Sequence, residues 1–207
     1  MIRFLMKHPE KIYVPLLEHI WLVLITLVIS VGVAAILTVL AMRWQKLGNI
    51  LMNLFSVLYS VPSLALFALL IPMTGLGRGT AVIVLTVYNQ YLLLRNFITG
   101  LNEVDPAVRE AAVGIGMSPM QVLTKVQVPL AKKALLAGIR LAVVSTIGIG
   151  TIAASINAGG LGDLLFDGLR TMNTVKILWG SLLSAALAIL LNALLKLGQR
   201  DVHRVPK

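Results

Sequence analysis

The stretch Ile20–Met42, I-W-L-V-L-I-T-L-V-I-S-V-G-V-A-A-I-L-T-V-L-A-M, carries no charged side chain. A hydrocarbon core about 30 Å thick needs roughly 20 apolar residues in a helix, because lipid offers the backbone no hydrogen-bonding partner. This window is long enough to cross. A cleaved signal segment is a poor reading, since the window is too long and lacks a small-residue cleavage site. Four more charge-free windows follow: Leu47–Gly77, Gly79–Leu94, Leu141–Gly162 and Ile177–Leu195. In the second, Pro72, Gly75 and Gly77 are expected to end the helix near Ile71. Pro62 is expected to kink it, with Ser60 or Ser63 satisfying the freed backbone groups. The third window is short and extends to Ile98 if Arg95 snorkels. The expected fold class is an all-α membrane protein with about five transmembrane helices.

Composition agrees. Of 207 residues, 58% are hydrophobic and only 13% charged, and the mean hydropathy is +0.92. Soluble domains average about 45–50% apolar and about 25% charged residues, so neither a soluble globular protein nor a disordered chain fits. Without cysteine, disulfides, zinc–thiolate sites and thiol catalysis are excluded. The net charge of +10 could point to nucleic acid, but in so apolar a chain the positive-inside rule explains it better. Five crossings place the termini on opposite sides. With the N-terminus outside, twelve Lys and Arg residues fall inside, among them Arg43, Lys46, Lys125, Lys132, Lys133 and Arg140, against six outside. The expected orientation is N-out, C-in. Residues 1–19 then form an extracellular segment, an amphipathic helix lying on the membrane. Residues 20–195 form the membrane domain and 196–207 a cytoplasmic basic tail.

One polar segment, Arg95–Lys133, is too long for a turn. Asp105 can cap a first short helix with Pro106 in its first turn, running through Val108, Ala111 and Ala112 until Gly114 and Gly116 break it. Ser118 is a second N-cap, followed by Pro119 and Met120–Val126. Pro129 stops or kinks that helix. The expected product is a compact helix–turn–helix on the cytoplasmic face, suited to docking a soluble partner.

These residues also carry a resemblance. Glu110-Ala111-Ala112, three residues, Gly116, nine residues, then Val126-Gln127-Val128-Pro129 resembles the EAA loop of ABC-importer permeases. The spacing matches completely; Val126 and Val128 stand where Ile and Leu are usual. Over roughly Ile20–Leu195 the chain is most similar to the osmoprotectant permeases, through Ser60-Val61-Pro62-Ser63-Leu64-Ala65-Leu66, Arg95-Asn96, Gly100, Val104-Asp105-Pro106 and Ala158-Gly159-Gly160-Leu161-Gly162. The resemblance implies a type I ABC-importer permease fold in a bacterial cytoplasmic membrane, crossed several times. It implies a coupling helix within residues 95–133 that docks into a cytoplasmic ABC ATPase through small Ala side chains and a tight turn at Gly116. It further implies an extracellular or periplasmic substrate-binding protein and a second permease copy, as a homodimer or a related heterodimer. The cargo implied is glycine betaine, carnitine or choline. Methionine importers share the EAA loop and a G-G-L-G segment, so methionine or another amino acid is the alternative. A non-transporting scaffold whose loop recruits a signalling protein is the rival from another class. The sequence contains no G-x-x-x-x-G-K-[ST] phosphate loop. ATP and magnesium therefore belong to the partner ATPase, and no cofactor, catalytic residue or nucleic acid is expected on this chain.

Candidate path residues come from the spans. Tyr88, Asn89, Gln90 and Tyr91 are the most polar cluster in any window, and polar groups at membrane depth face a bundle interior or a water-filled cavity. Tyrosine faces can hold a quaternary ammonium, although Tyr88 and Tyr91 suit an interfacial anchor equally. Ala142, Thr146, Gly150, Ala154 and Ala158 recur every four residues, a stripe that lets helices approach closely. It serves either a permease–permease interface lining the path or packing within one subunit. Asn157 either faces the path or caps its helix. Asp163 and Asp167, four apart on an outer loop, either meet basic groups of the binding protein or are simply solvated. His8, His19 and His203 are dispersed, and no metal cluster is expected.

Overall fold

From Glu10 to Arg43 the chain is one helix, α1, of 34 residues. At 1.5 Å per residue it exceeds the roughly 30 Å of hydrocarbon core. Residues 10–19, expected to lie apart on the membrane surface, are instead the first turns of the spanning helix. The computed structural model describes residue 6 and residues 9–200. Most of the expected basic tail and the first residues of the amphipathic segment, with His8 and His203, lie outside them.

Helix α2 (Gln45–Ser60) and helix α3 (Ser63–Thr74) replace the expected single second span. They meet at 102°. Pro62 has no N–H and pushes Val61 into extended backbone at φ −68°, ψ 133°. The expected kink is therefore a complete break. Ser60 Oγ donates to Val57 O at 2.7 Å, and the Tyr88 hydroxyl donates to the Val61 carbonyl, so the broken turn does not leave that acceptor bare. Helix α3 also runs past Ile71 and Pro72 to Thr74 before Gly75 turns the chain at φ 78°.

Helix α4 (Arg78–Asn102) is longer than its charge-free window at both ends. It packs on α1, α2, α3 and helix α8 (Lys132–Ile152), so it is the hub of the bundle. A Cβ at Gly100 would sit 2.3 Å from Ala134 Cβ, and one at Gly138 2.8 Å from Asn96 Cβ. Those two glycines set the close approach of α4 and α8. Between them lie helix α5 (Pro106–Gly114), helix α6 (Pro119–Val122), a π turn (Leu123–Gln127) and helix α7 (Val128–Leu130). Helix α8 begins before the expected Leu141 and ends in a 3-10 turn, Ala153–Ile156. Leu161 and Gly162, expected at the end of that span, open helix α9 (Leu161–Arg170). Helix α10 (Thr174–Arg200) is the last described element.

Among the described residues four helices, α1, α4, α8 with its 3-10 turn, and α10, are long and apolar enough to cross a membrane, and the bent pair α2–α3 makes a fifth if it counts as one span. Their faces divide between interior and lipid. Val23, Val84, Leu93 and Ala142 are fully buried, while Val28, Ile36, Leu182 and Ile189 point outward.

Candidate functional site

The polar segment folds as its caps dictate. Asp105 Oδ1 accepts from Ala107 N at 2.8 Å, with Pro106 opening the first turn of α5. At its end Gly116 takes φ 86°, its N–H returning to Val113 O at 2.9 Å and that of Met117 to Ala112 O at 3.1 Å. This paired closure satisfies the last carbonyls and needs a left-handed residue, which glycine supplies without penalty. Ser118 and Gln121 then cap α6 reciprocally, each side chain bonding the other's backbone N–H, at 3.4 and 2.8 Å. Gln121 is the half of this capping box that the sequence reading missed; its place three residues after Ser118 was the available signal. The π turn at Leu123–Gln127 precedes Pro129, whose ring would crowd the carbonyl four residues back in a regular helix. The Val128 N–H bonds the Leu123 carbonyl across the wider turn.

Within this segment Glu110 and Ala111 are exposed, Ala112 is buried, Val126 is half-buried, and Val128 and Pro129 are exposed. Val113, Ile115 and Met120 also present their side chains outward, so the tip is apolar and, among the described residues, uncovered. Its base is fixed. Leu123 and Ala131 pack with Leu101 and Val104. Gln127, buried inside the V-x-V-P stretch, donates from Nε2 to Leu101 O at 3.1 Å. The segment is thereby joined to the end of α4 and the start of α8.

The candidate path residues separate. Asn89 is buried between helices, Nδ2 donating to Thr146 Oγ1 at 2.8 Å and to Ser30 Oγ at 3.1 Å. Its neighbour Gln90 donates to Ser30 O at 3.1 Å. Asn89 thus staples α1, α4 and α8 together within this chain. Gly150 packs against α1: a Cβ there would stand 3.2 Å from His19 Cε1. Ala142, Thr146, Gly150, Ala154 and Ala158 are all buried within this one chain, which decides the stripe for internal packing. Tyr88 is buried behind the α2–α3 break. Its ring meets Tyr59 edge-on at 5.7 Å, and Tyr59 lies 4.9 Å from Tyr91. Tyr91 is half-exposed, its hydroxyl accepting from Arg95 Nη1 at 3.0 Å. Tyr59 was not anticipated, because only the structure brings α2 and α4 together.

At the opposite end, Asn157 adopts φ 62° and closes the 3-10 turn, with Ala158 N returning to Ala153 O at 3.2 Å. The capping role is realised, and the exposed side chain lines a cavity of about 420 Å³ with Lys11, Asp163, Asp167, Arg170 and Lys176. Asp167 accepts from Lys176 Nζ at 2.5 Å, which holds its carboxyl below the usual range. The Glu18 carboxylate pairs with Arg78 and accepts from Gly160 N at 3.2 Å, while Arg78 Nε donates to Ala158 O at 3.2 Å. The G-G-L-G segment is thus clamped to α1 and α4. Glu18 and Arg78 carried no motif that would have singled them out.

Residues 30–204 match the family described as the binding-protein-dependent transport system inner membrane component. The chain is 33% identical to the carnitine transport permease protein OpuCB of Listeria monocytogenes, covering 100% of this chain and 94% of that one. It is also 33% identical to the choline transport system permease protein OpuBB of Bacillus subtilis, over 97% of this chain and 93% of that one. In fold it resembles a chain of the inward-facing MetNI methionine ABC transporter, with a TM-score of 0.80 at 21% identity, covering 95% and 96% of the two.

Proposed function

Because the chain belongs to the inner-membrane component family of binding-protein-dependent transport systems, we propose that it is the permease subunit of an ATP-driven importer for a quaternary-ammonium osmoprotectant such as choline, carnitine or glycine betaine. The observation that carries this reading is the capped α5–α7 segment, apolar at its tip and anchored at its base. Small and apolar side chains at the tip suit a groove on a soluble partner. That partner is a cytoplasmic ATPase, which holds ATP and magnesium. A binding protein delivers cargo to the outer face, and a second permease subunit completes the path. Gln127 and Ala131 tie the segment to α4 and α8, so a displacement of its tip by ATPase closure moves both helices at once. The Lys and Arg bias supports placing this segment inside the cell. The likeness to a methionine transporter supports the architecture; the full-length relatives named above favour the osmoprotectant cargo.

The test is purification from membranes followed by uptake. An importer subunit brings down a P-loop ATPase, and cells lacking other osmoprotectant uptake gain choline or carnitine accumulation when both are supplied with the binding protein. A chain that purifies without an ATPase and confers no uptake is a scaffold, and the reading fails.

A further inference from the structure

Helix α2 has one polar face in an otherwise apolar span. Asn49, Asn53, Ser56 and Ser60 recur at intervals of four, three and four. At 100° per residue they fall within an arc of about 60°. Leu51, Leu54, Phe55 and Leu58 occupy the other side. All four polar residues are exposed. Among the described residues the side chains of Asn49, Asn53 and Ser56 form no hydrogen bond; Ser60 bonds only its own helix. With Gln45 near the inner boundary, Asn53 and Ser56 lie about 12 and 16 Å deeper along the helix, close to mid-membrane. Hydrocarbon cannot satisfy an amide, and polar side chains at that depth face water or another protein surface.

The two ends of the stripe open onto separate features. At the inner end Asn49 lines a cavity of about 360 Å³ together with Gln45, Asn102 and Arg109, and Arg109 belongs to α5 of the coupling segment. At the outer end lie the α2–α3 break and the Tyr59 and Tyr91 rings, tilted 34° to one another. We infer that the Asn49–Asn53–Ser56–Ser60 face of α2 lines the water-filled cargo path, opposite a second permease subunit of the same fold, and that its inner mouth is the cavity beside Arg109. This deepens the permease reading and rests on it. Amide and hydroxyl groups can exchange hydrogen bonds with a cargo carboxylate or hydroxyl without trapping it.

The cysteine-free chain allows a direct test in the permease–ATPase complex in proteoliposomes. Asn53→Cys, Ser56→Cys and Leu54→Cys are treated singly with trimethylammonium-ethyl methanethiosulfonate. The thiolate forms a mixed disulfide with the reagent and releases methanesulfinate. Because the reacting species is the thiolate, which needs water, Asn53→Cys and Ser56→Cys should react about tenfold faster than Leu54→Cys. Added choline should slow them, and modification should stop choline uptake. Equal rates at all three positions, unaffected by choline in a complex that still imports it, overturn the assignment. A complex that imports none of choline, carnitine and glycine betaine, yet keeps the tenfold difference, overturns the cargo and leaves the path standing.

Discussion

At Gly116 the backbone takes φ 86° with nothing within 4 Å of an added Cβ, whereas at Gly162 a Cβ would lie 1.9 Å from Thr151 O. The first glycine is required for conformation and the second for space. Gly162→Ala should therefore sharply lower membrane abundance, while Gly148→Ala, with nothing within 4 Å, should leave it unchanged. Quantitative immunoblotting of membranes separates the two. Asn89 makes a further prediction. Asn89→Leu strips partners from buried Ser30 and Thr146, and an unsatisfied buried polar group costs ~1–3 kcal/mol, somewhat less where membrane helices find alternatives. It should lower the thermal midpoint of the purified complex clearly more than Asn157→Asp, which keeps an exposed short polar side chain that tolerates the left-handed backbone there. The polarity of Asn89 was legible in the sequence, but its direction was not: Ser30, Asn89 and Thr146 lie on three helices, and no local pattern states that they meet. The stripe on α2 was legible, at helical spacing, but a search for charge-free windows passes over Asn and Ser.

Among the elements, those with local causes were readable and those with tertiary causes were not. Charge-free windows located every span, and the Asp105-Pro106 and Ser118-Pro119 pairs located α5 and α6, because caps act within one turn. The angle at Pro62 was beyond reach. Proline forbids a regular helix, but whether the chain kinks or turns by 102° depends on what receives the freed groups. Here Tyr88, on α4, receives the Val61 carbonyl. Tyr88→Phe removes that donor and leaves the carbonyl unpaired in a low dielectric, a loss of ~1–3 kcal/mol. Its thermal midpoint should fall below that of Tyr59→Phe, for which the structure shows ring contacts alone. Equal midpoints would mean that Pro62 alone fixes the break. The small-residue stripe of α8 belongs with these tertiary features, since its spacing is the same whether the facing helix is in this chain or another.

For the whole molecule, orientation and coupling stand together, because a coupling segment on the outer face could not reach an ATPase. Single cysteines at Ser118 and Asp163 should label from opposite sides of the membrane, and labelling of both from outside in intact cells would exclude the N-out arrangement. The most direct measurement is uptake of radiolabelled choline by the assembled transporter carrying Gly116→Val or Glu110→Lys, with membrane abundance and bound ATPase quantified alongside. Gly116→Val places a β-branched residue in left-handed backbone at a cost of roughly 1–2 kcal/mol. Glu110→Lys reverses an exposed charge on the docking helix. Neither touches a span, so insertion should be normal while uptake falls at least tenfold, the change that about 1.4 kcal/mol in a coupling equilibrium produces. Normal insertion, full ATPase retention and uptake at the unmodified rate in both variants would show that α5–α7 does not couple the ATPase to the path.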